Sequence, residues 1–220
     1  YYTNHKDEYN LIKNYFKNLV ISKNRIDGLK EIEKLNYDSV ILDDGLQDLR
    51  IKKDLKIVCF NNNQLIGNGL VLPSGPLRES LSALKNADII VVNGGKNKNF
   101  EDKILKINHK LEIFYSSYKP TNLDQFKNKD LLVIVGVGNP ENFFQLLEQN
   151  NLQVKKKLIF PDHYKFSKIE IQNILNEAEN SNYQIIMTEK DYYKINDYKL
   201  KKINYLKVSL EIDNKQKLLD

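Results

Sequence analysis

Short, uninterrupted apolar runs recur along the chain, and helix-length amphipathic segments separate them. Runs such as Ser39–Leu42 and Ile89–Asn93 lack polar alternation, which indicates strands buried on both faces. Such strands occur in parallel sheets covered by helices, so the pattern predicts an α/β fold. The predicted strands are Leu19–Ser22, Ser39–Leu42, Lys56–Phe60, Ile89–Asn93, Leu131–Val135, Gln184–Thr188 and Tyr205–Val208. The predicted helices are Glu8–Lys17, Arg25–Leu35, Leu81–Asn86, Glu141–Asn150, Lys168–Asn180 and Lys190–Asn196.

One stretch interrupts this rhythm and indicates a domain boundary. Leu111–Lys129 has extended character and contains Pro120. We therefore predict a first domain over 1–110, an extended linker over 111–128 and a smaller C-terminal α/β lobe over 129–220. A chain of 220 residues is long enough for one large domain or two small ones.

Composition excludes several classes of protein. A single cysteine, Cys59, rules out a disulfide framework and a cysteine-based zinc site. No apolar run approaches the roughly 18–20 residues of a membrane span. The net charge of +5 suits phosphorylated substrates, anionic lipid or nucleic acid, but no basic stripe interleaved with aromatic residues indicates single-strand binding. The three arginines, Arg25, Arg50 and Arg78, are candidates for work that needs a planar, bidentate donor.

Two adjacent carboxylates follow a predicted buried strand. Asp43 and Asp44 end the apolar run and precede Gly45, which is the form of a Walker B element. In open α/β sheets, ligands bind at the carboxyl ends of the strands, and a carboxylate there is able to hold Mg²⁺ beside nucleotide phosphates. The alternative is that Asp-Asp-Gly is only a turn after a strand, and this segment by itself favours neither.

A long loop rich in glycine and proline spans Gly67–Glu79. Loops of this length are functional or disordered, and its apolar residues Leu70–Leu72 and Leu77 predict burial rather than disorder. Arg78 stands beside Glu79, and we consider two interpretations. Either the guanidinium is aimed at a phosphate and Glu79 orients it, or the two form a local ion pair at a helix start.

His163 is the histidine whose setting suggests chemistry. It follows Pro161 and Asp162 and precedes a predicted helix that Ser167 is placed to cap. Isolated histidines are usually structural or exposed, but a rigid histidine with an acidic neighbour is a reasonable proton-handling group. His5 and His109 have no such setting.

Two further acidic segments leave their role open. Asp7 and Glu8 lie at a predicted helix start, where the helix dipole favours acids without any function. Thr188–Asp191 follows a predicted strand and opens a helix that Thr188 is placed to cap. This T-E-K-D segment is either structural or reaches a cleft.

The glycine-rich turns do not complete a nucleotide-binding motif. Gly136-Val-Gly138 lacks the third glycine of a dinucleotide fingerprint, so we interpret it as a tight turn with Pro140 in the first turn of the next helix. Gly94-Gly95-Lys96 lacks the upstream glycine and the Ser or Thr of a P-loop. The chain therefore has a Walker-B-like element without a Walker A element.

Taken together, five motifs in this order resemble the tetraacyldisaccharide 4'-kinase family of lipid A biosynthesis. They are D-D-G-L-Q at 43–47, G-N-G-x-x-L-P-x-G-P-L-R-E at 67–79, G-x-x-N-P-E-x-F-F at 136–144, F-P-D-H at 160–163 and T-E-K-D at 188–191. The resemblance implies a P-loop NTPase-like parallel sheet with flanking helices, incomplete at its N-terminus. It also implies transfer of the ATP γ-phosphate to the 4'-hydroxyl of tetraacyldisaccharide 1-phosphate, which gives lipid IVA.

The resemblance assigns roles to individual residues. Asp43 and Asp44 match the pair that holds Mg²⁺ with ATP, and Gln47 and Glu79 belong to the same nucleotide-binding motifs. Arg78 matches the arginine expected near the phosphates. His163 matches the partner of a catalytic aspartate, with which Asp7 aligns; Lys6-Asp7-Glu8-Tyr9 stands where the family has G-D-E-P, and Asp48 stands where it has histidine.

The resemblance also implies a cellular setting and a larger enzyme. We expect contact with a membrane surface at the cytoplasmic face of the inner membrane of a Gram-negative bacterium, and no nucleic acid partner. We expect a P-loop and an apolar anchoring helix upstream of Tyr1, and little or no kinase activity from residues 1–220 alone. The alternatives are a non-catalytic remnant of this kinase fold and an unrelated basic α/β module that binds nucleic acid, against which the motif order argues.

Overall fold

The computed structural model describes residues 6–195 and 202–219, with side chains described from residue 9. The chain divides into two compact units. The described residues of 38–119 and 209–220 form the first-sheet unit, and those of 1–37 and 120–208 form the second-sheet unit.

Helices and strands alternate through most of the described chain. In chain order they are α1 (Lys6–Tyr15), α2 (Arg25–Glu33), β1 (Ile57–Asn61), a 3₁₀ helix (Leu81–Asn86), β2 (Ile89–Asn93), α3 (Lys98–Ile107), β3 (Glu112–Pro120), a second 3₁₀ helix (Leu123–Gln125), β4 (Asp130–Val135), α4 (Pro140–Gln149), β5 (Gln153–Ile159), α5 (Lys168–Asn180), β6 (Gln184–Thr188), α6 (Glu189–Ile195), β7 (Ile203–Leu206), β8 (Val208–Ile212) and α7 (Lys215–Leu219). Each unit has a four-stranded sheet, in the order β1-β2-β3-β8 in one and β5-β4-β6-β7 in the other.

The prediction of parallel sheets covered by helices is confirmed. In the second-sheet unit, β4 runs parallel to β5 and β6, and β6 runs parallel to β7. In the first-sheet unit, β1, β2 and β3 are parallel.

Burial in the second-sheet unit explains its apolar runs. β4 is central, and Leu132 and Ile134 pack in one core with α5 and α6, whereas Leu131, Val133 and Val135 pack in another core with α4. Both faces of β4 are therefore covered, which is why its sequence has no polar alternation.

The helix arrangement defines a switch point in the second sheet. The chain leaves β4 through α4 toward β5 on one side, and it leaves β6 through α6 toward β7 on the other. The carboxyl ends of β4 and β6 therefore flank the place where loops diverge, which is the usual ligand-binding crevice of an open α/β sheet.

Two predicted strands are wrong. Leu19–Ser22 and Ser39–Leu42 adopt no strand, and Ile41 is 92% exposed. Among the described residues neither segment pairs with a neighbouring strand, and an extended segment without a ladder leaves its backbone N–H and C=O groups to water. The apolar character of 39–42 therefore does not lead to burial in this structure.

Several elements were not predicted. The extended stretch 111–128 contains β3, which pairs in register with β2, and the change between the two units falls inside it at residues 119 and 120. Strand β5 was missed because its run Lys155–Lys157 has the composition of a solvated face. That run suits β5, which is an edge strand, because lysines protect a sheet edge from pairing with other chains. The elements α3, β8 and α7 were also missed. The division into a first domain over 1–110, a linker over 111–128 and a C-terminal lobe over 129–220 stays a prediction.

No helix in the described ranges is long and apolar enough to cross a bilayer.

Candidate functional site

The D-D-G segment forms a turn that presents its carboxylates to solvent. Asp43 and Asp44 are both exposed, as is Gln47. Asp44 has a φ of +52°, a left-handed conformation that aspartate tolerates better than most residues. The turn interpretation of the backbone is therefore correct, and it leaves both carboxylates accessible to a ligand.

The Gly67–Glu79 loop is ordered by its own hydrogen bonds. The Leu77 N–H donates to the Leu70 carbonyl at 3.2 Å and the Leu72 N–H to the Leu77 carbonyl at 2.8 Å, while the Asn68 side-chain amide donates to the Ser74 carbonyl at 2.8 Å. The predicted burial of its apolar residues is wrong for three of them, since Leu70, Val71 and Leu72 are exposed. Backbone hydrogen bonding, rather than an apolar core, shapes this loop.

The loop brings Arg78 to the D-D-G turn. The Arg78 Nη1 donates to Asp44 Oδ2 at 2.7 Å, and this hydrogen bond with the nearby charges of Asp44 and Asp43 raises the pKa of the guanidinium further. Among the described residues no hydrogen bond or ion pair joins Arg78 to Glu79, so neither the orienting contact nor the local ion pair considered for Glu79 is observed, and the carboxylate that contacts the guanidinium is that of Asp44. Both side chains of the pair are more than half exposed, so the contact contributes little to stability and is open to exchange with a ligand.

Gly75→Ala is expected to distort this loop. A Cβ at position 75 would lie 2.2 Å from Asn68 Oδ1 and 2.3 Å from the Leu70 carbonyl oxygen, so backbone must move. We expect a loss of about 1–3 kcal/mol in unfolding free energy, measured by urea denaturation. Gly95→Ala is the matched control, because no atom lies within 4 Å of its added Cβ; equal unfolding free energies for the two variants would contradict the prediction.

Asp48, which stands in the position of a family histidine, is held by a neighbouring arginine. The Arg50 Nε and Nη2 donate to the two Asp48 carboxylate oxygens at 2.8 and 2.7 Å, and the Asp48 side chain is 7% exposed. This bidentate pair raises the pKa of Arg50. Asp48 therefore has a structural partner within its own turn.

His163 lies in a tight turn beside an acid and a lysine. It has a φ of +57°, and its N–H donates to Asp162 Oδ1 at 2.9 Å, while its Nε2 is 3.8 Å from Asp162 Oδ2. The Lys190 Nζ is 3.5 Å from Asp162 Oδ1. Burial alone would raise the pKa of Asp162, but the charge of Lys190 and the contacts with His163 outweigh it and lower that pKa.

A buried ion pair joins the carboxyl ends of β4 and β6. Asp191 is fully buried, and its Oδ2 accepts from the Gly136 N–H at 2.9 Å and the Thr188 hydroxyl at 2.8 Å. The Lys194 Nζ donates to Asp191 Oδ1 and to the Gly136 carbonyl, each at 2.7 Å. The T-E-K-D segment thus anchors the turn after β4, and Thr188 accepts the Asp191 N–H at 3.1 Å as the predicted cap.

The loop after β5 also lies against the turn after β4. A Cβ at Gly136 would lie 3.4 Å from the Pro161 carbonyl oxygen, and one at Gly138 would lie 3.2 Å from Asp162 Oδ2. The predicted tight turn is confirmed, since Asn139 is the N-cap of α4 and Pro140 begins it. Ser167 caps α5 in a capping box with Glu170, also as predicted.

Asp7 lies in the first turn of α1, and its side chain is outside the described residues. Helix α1 packs against α6. At its C-terminal end, the Tyr15 hydroxyl contacts both carboxylate oxygens of Glu189 at 2.8 Å. Burial, followed by this hydrogen bond and the Glu189 charge, raises the pKa of Tyr15 well above its ordinary value.

The candidate residues therefore fall into two sets. Asp43, Asp44, Gln47, Arg78 and Glu79 belong to the first-sheet unit, whereas α1 with Asp7 and the turn with His163 belong to the second-sheet unit. No group of three or more His, Cys, Asp or Glu side chains suited to a metal ion occurs within residues 9–195 and 202–219.

Sequence reasoning missed the contacts that surround His163 and α1. In the T-E-K-D segment it placed Thr188 as the helix cap but gave no role to Lys190, and it gave none to Tyr15 or Lys194. The position of Lys190 inside a recognised motif was a usable signal. Nothing local marks Tyr15, whose partner is 174 residues away.

Comparison with known proteins gives a consistent result. The family described as LpxK, tetraacyldisaccharide-1-P 4'-kinase, matches residues 4–220. Three relatives are named tetraacyldisaccharide 4'-kinase. The one from Pelagibacter ubique is 40% identical, over 99% of this chain and 70% of the relative. The one from Haemophilus influenzae is 34% identical, over 90% of this chain and 58% of the relative, and the one from Francisella tularensis subsp. novicida is 33% identical, over 89% of this chain and 62% of the relative. The chain thus spans between 58% and 70% of the length of these three relatives.

A solved structure shares the fold. The crystal structure of an LpxK from Aquifex aeolicus in complex with ATP aligns with a TM-score of 0.59 and 23% identity, over 87% of this chain and 58% of the other. Together with the family match over nearly the whole chain, this means that the chain belongs to the tetraacyldisaccharide-1-P 4'-kinase family.

Proposed function

We propose that this chain is part of an enzyme that phosphorylates the 4'-hydroxyl of tetraacyldisaccharide 1-phosphate with ATP, giving lipid IVA. The observation that carries the proposal is the family match over residues 4–220. The alternative is a remnant that keeps this fold without activity.

The D-D-G turn fits Mg²⁺ bound with a nucleotide. Mg²⁺ keeps several waters and is usually held by one or two carboxylates together with phosphate oxygens. Asp43 and Asp44 supply two adjacent, exposed carboxylates, so they are the residues that would hold the ion. When bound with ATP, Mg²⁺ neutralises charge on the β- and γ-phosphates.

Arg78 is suited to bind the transferred phosphate. Its guanidinium lies beside Asp44 and is more than half exposed, and planar guanidinium groups bind phosphate oxygens through two N–H donors. We expect Arg78 to donate to a γ-phosphate oxygen, with Asp44 keeping the side chain in place.

Asp7 and His163 are suited to activate the acceptor. A carboxylate that accepts the 4'-hydroxyl proton lets the oxygen attack phosphorus, and a histidine beside it orients the carboxylate and shares the proton. His163 lies in a tight turn in which its backbone N–H donates to Asp162 Oδ1. Gln47 and Glu79 complete the proposed nucleotide-binding set.

The proposed substrate implies a membrane setting. A tetraacylated disaccharide resides in a lipid bilayer, so we propose peripheral contact with the cytoplasmic face of the inner membrane of a Gram-negative bacterium. The net charge of +5 favours anionic lipid and phosphorylated substrates. We propose no nucleic acid partner, because the chain has few arginines and no aromatic-rich basic stripe.

The experiment that tests the function is a transfer assay with the protein expressed from its complete reading frame. We expect phosphate transfer from radiolabelled ATP to tetraacyldisaccharide 1-phosphate, and we expect Arg78→Ala to lower kcat by about 10²–10³-fold because it removes a donor to charge that develops in the transition state. Arg25→Ala is the control, since Arg25 begins α2 and has no proposed role. Absence of transfer by the wild-type protein would favour the inactive remnant.

A further inference from the structure

Consecutive side chains at the start of α6 contact three different segments of the second-sheet unit. Glu189 accepts from the Tyr15 hydroxyl of α1, Lys190 contacts Asp162 in the turn that carries His163, and Asp191 binds the turn after β4. These three segments carry Asp7, His163 and Gly136.

We propose that Glu189 and Lys190 are positioning residues that hold helix α1, which carries Asp7, and the turn that carries His163 in a fixed position relative to each other. This inference rests on the proposed function, because it assigns the two residues a purpose in the phosphoryl transfer. Neither residue needs to touch the substrate, because each acts through the element that it contacts.

The contact between Glu189 and α1 is a hydrogen bond at the end of the helix. Tyr15 ends α1 and donates its hydroxyl to the Glu189 carboxylate at 2.8 Å from either oxygen. Helix α1 spans 10 residues, and Asp7 lies about 12 Å from Tyr15 along it at ~1.5 Å per residue. Because backbone hydrogen bonds join successive turns of a helix, we expect a shift of Tyr15 to be transmitted to the backbone of Asp7.

The Glu189 carboxylate lies in a partly buried position. Its charge contributes to the raised pKa values of Tyr193 and Tyr205, for both of which burial is the largest cause. The rings of Tyr205 and Tyr192 lie beside each other in a tilted arrangement with centroids 4.7 Å apart. Tyr15, which is 51% exposed, supplies the hydrogen-bond donor that this carboxylate contacts.

The contact between Lys190 and the His163 turn is a charge interaction at the end of β5. The Lys190 Nζ lies 3.5 Å from Asp162 Oδ1, the oxygen that accepts the His163 N–H at 2.9 Å. The Lys190 side chain is 21% exposed, so this interaction is less screened than a fully exposed pair. The ammonium thus holds the carboxylate that orders the His163 backbone.

The alternative is that both contacts serve stability alone. The two explanations differ in what the variants change. A positioning role lowers kcat at unchanged KM for MgATP, because misplacing reacting groups by about 1 Å costs up to ~10²-fold in rate. A structural role lowers the melting temperature and the folded fraction but leaves kcat per folded enzyme unchanged.

The test compares Tyr15→Phe, Lys190→Met and Lys190→Arg in the protein expressed from its complete reading frame. We expect the first two to lower kcat by about 10-fold or more with KM for MgATP within ~2-fold, and Lys190→Arg to retain most of the wild-type kcat. Glu189→Leu is also measured singly and together with Tyr15→Phe. The double variant is expected to be no slower than the slower of these two single variants, because both changes remove the same contact. Hydrogen–deuterium exchange of the α1 amides is expected to increase in Tyr15→Phe.

Matched controls remove the same chemistry elsewhere. Tyr115→Phe deletes a hydroxyl that contacts Glu101 Oε1 at 2.5 Å in the first-sheet unit, and Lys202→Met deletes an exposed lysine paired with Glu179. Both are expected to keep the wild-type kcat.

The outcomes separate the inference from the function on which it rests. Full kcat in Tyr15→Phe and Lys190→Met, with Asp7→Ala inactive, would overturn the inference and leave the proposed function intact. An equal loss of kcat in the two control variants would also overturn it. A wild-type protein that transfers no phosphate would overturn the proposed function and the inference together.

Discussion

Asp7→Ala is expected to lower kcat for transfer to the 4'-hydroxyl by about 10²–10⁴-fold, which is the usual contribution of a positioned general base. The KM for MgATP is expected to change little, because the proposed nucleotide-binding residues lie in D-D-G and L-R-E and not in α1. Steady-state kinetics of the protein expressed from its complete reading frame measure both quantities. His163→Ala is expected to lower kcat in the same way, because it removes the partner of the carboxylate.

The control for Asp7→Ala addresses the alternative that this acid only favours the helix dipole. Asp27 also lies in the first turn of a helix, α2, and has no proposed chemical role. We expect Asp27→Ala to leave kcat unchanged and to cost roughly 0.3–1 kcal/mol in stability. Near-wild-type turnover in Asp7→Ala would exclude Asp7 as the base, and similar kinetics of the two variants would support the dipole interpretation.

Asp191→Ala is expected to destabilise the protein by about 3–5 kcal/mol, because it leaves the buried Lys194 ammonium without its carboxylate. The Lys194 and Asp191 side chains are 7% and 0% exposed. The Gly136 N–H and the Thr188 hydroxyl also lose their acceptor, and a buried donor without a partner costs further free energy. Equilibrium unfolding in urea, followed by far-UV circular dichroism, measures the change.

Glu179→Ala is the matched control for this stability effect. It removes the carboxylate from the Lys202–Glu179 pair, in which the side chains are 69% and 52% exposed. Exposed ion pairs contribute about 0–1 kcal/mol, so the unfolding free energy is expected to fall by no more than that. A change below 1 kcal/mol in Asp191→Ala would show that the Asp191–Lys194 pair does not anchor the turn after β4.

The bounds of several elements were predictable from sequence because local chemistry sets them. Strands β2 and β6 occupy the predicted residues, and so does α5, whose Ser167 cap and Glu170 form a complete capping box. In each case the signal lies within a few residues of the element. Ser39–Leu42 has an equally apolar sequence, but a strand also requires a neighbouring strand, and local composition does not contain that information.

The candidate site was predictable where motifs carry it. Asp43, Asp44, Arg78 and His163 were named from sequence, and the contact between Asp44 and Arg78 brings two of the motifs together. From sequence, Glu79 was considered either as the carboxylate that orients Arg78 or as its local ion-pair partner, because the two residues are neighbours in the chain. The structure gives this contact to Asp44, because the ordered Gly67–Glu79 loop folds back to the D-D-G turn.

The sequence by itself determined the α/β class, the parallel sheets and the family. Uninterrupted apolar runs indicate strands buried on both faces, and the motifs that identify the family are short stretches of consecutive residues. Only the tertiary structure decided which side chains hold the motifs in place. The partners Tyr15 and Glu189 are 174 residues apart, and Gly136 and Asp191 are 55 apart. Such contacts arise where loops meet at the carboxyl ends of parallel strands, and their geometry depends on the order of strands in the sheet rather than on the residues nearby in the chain.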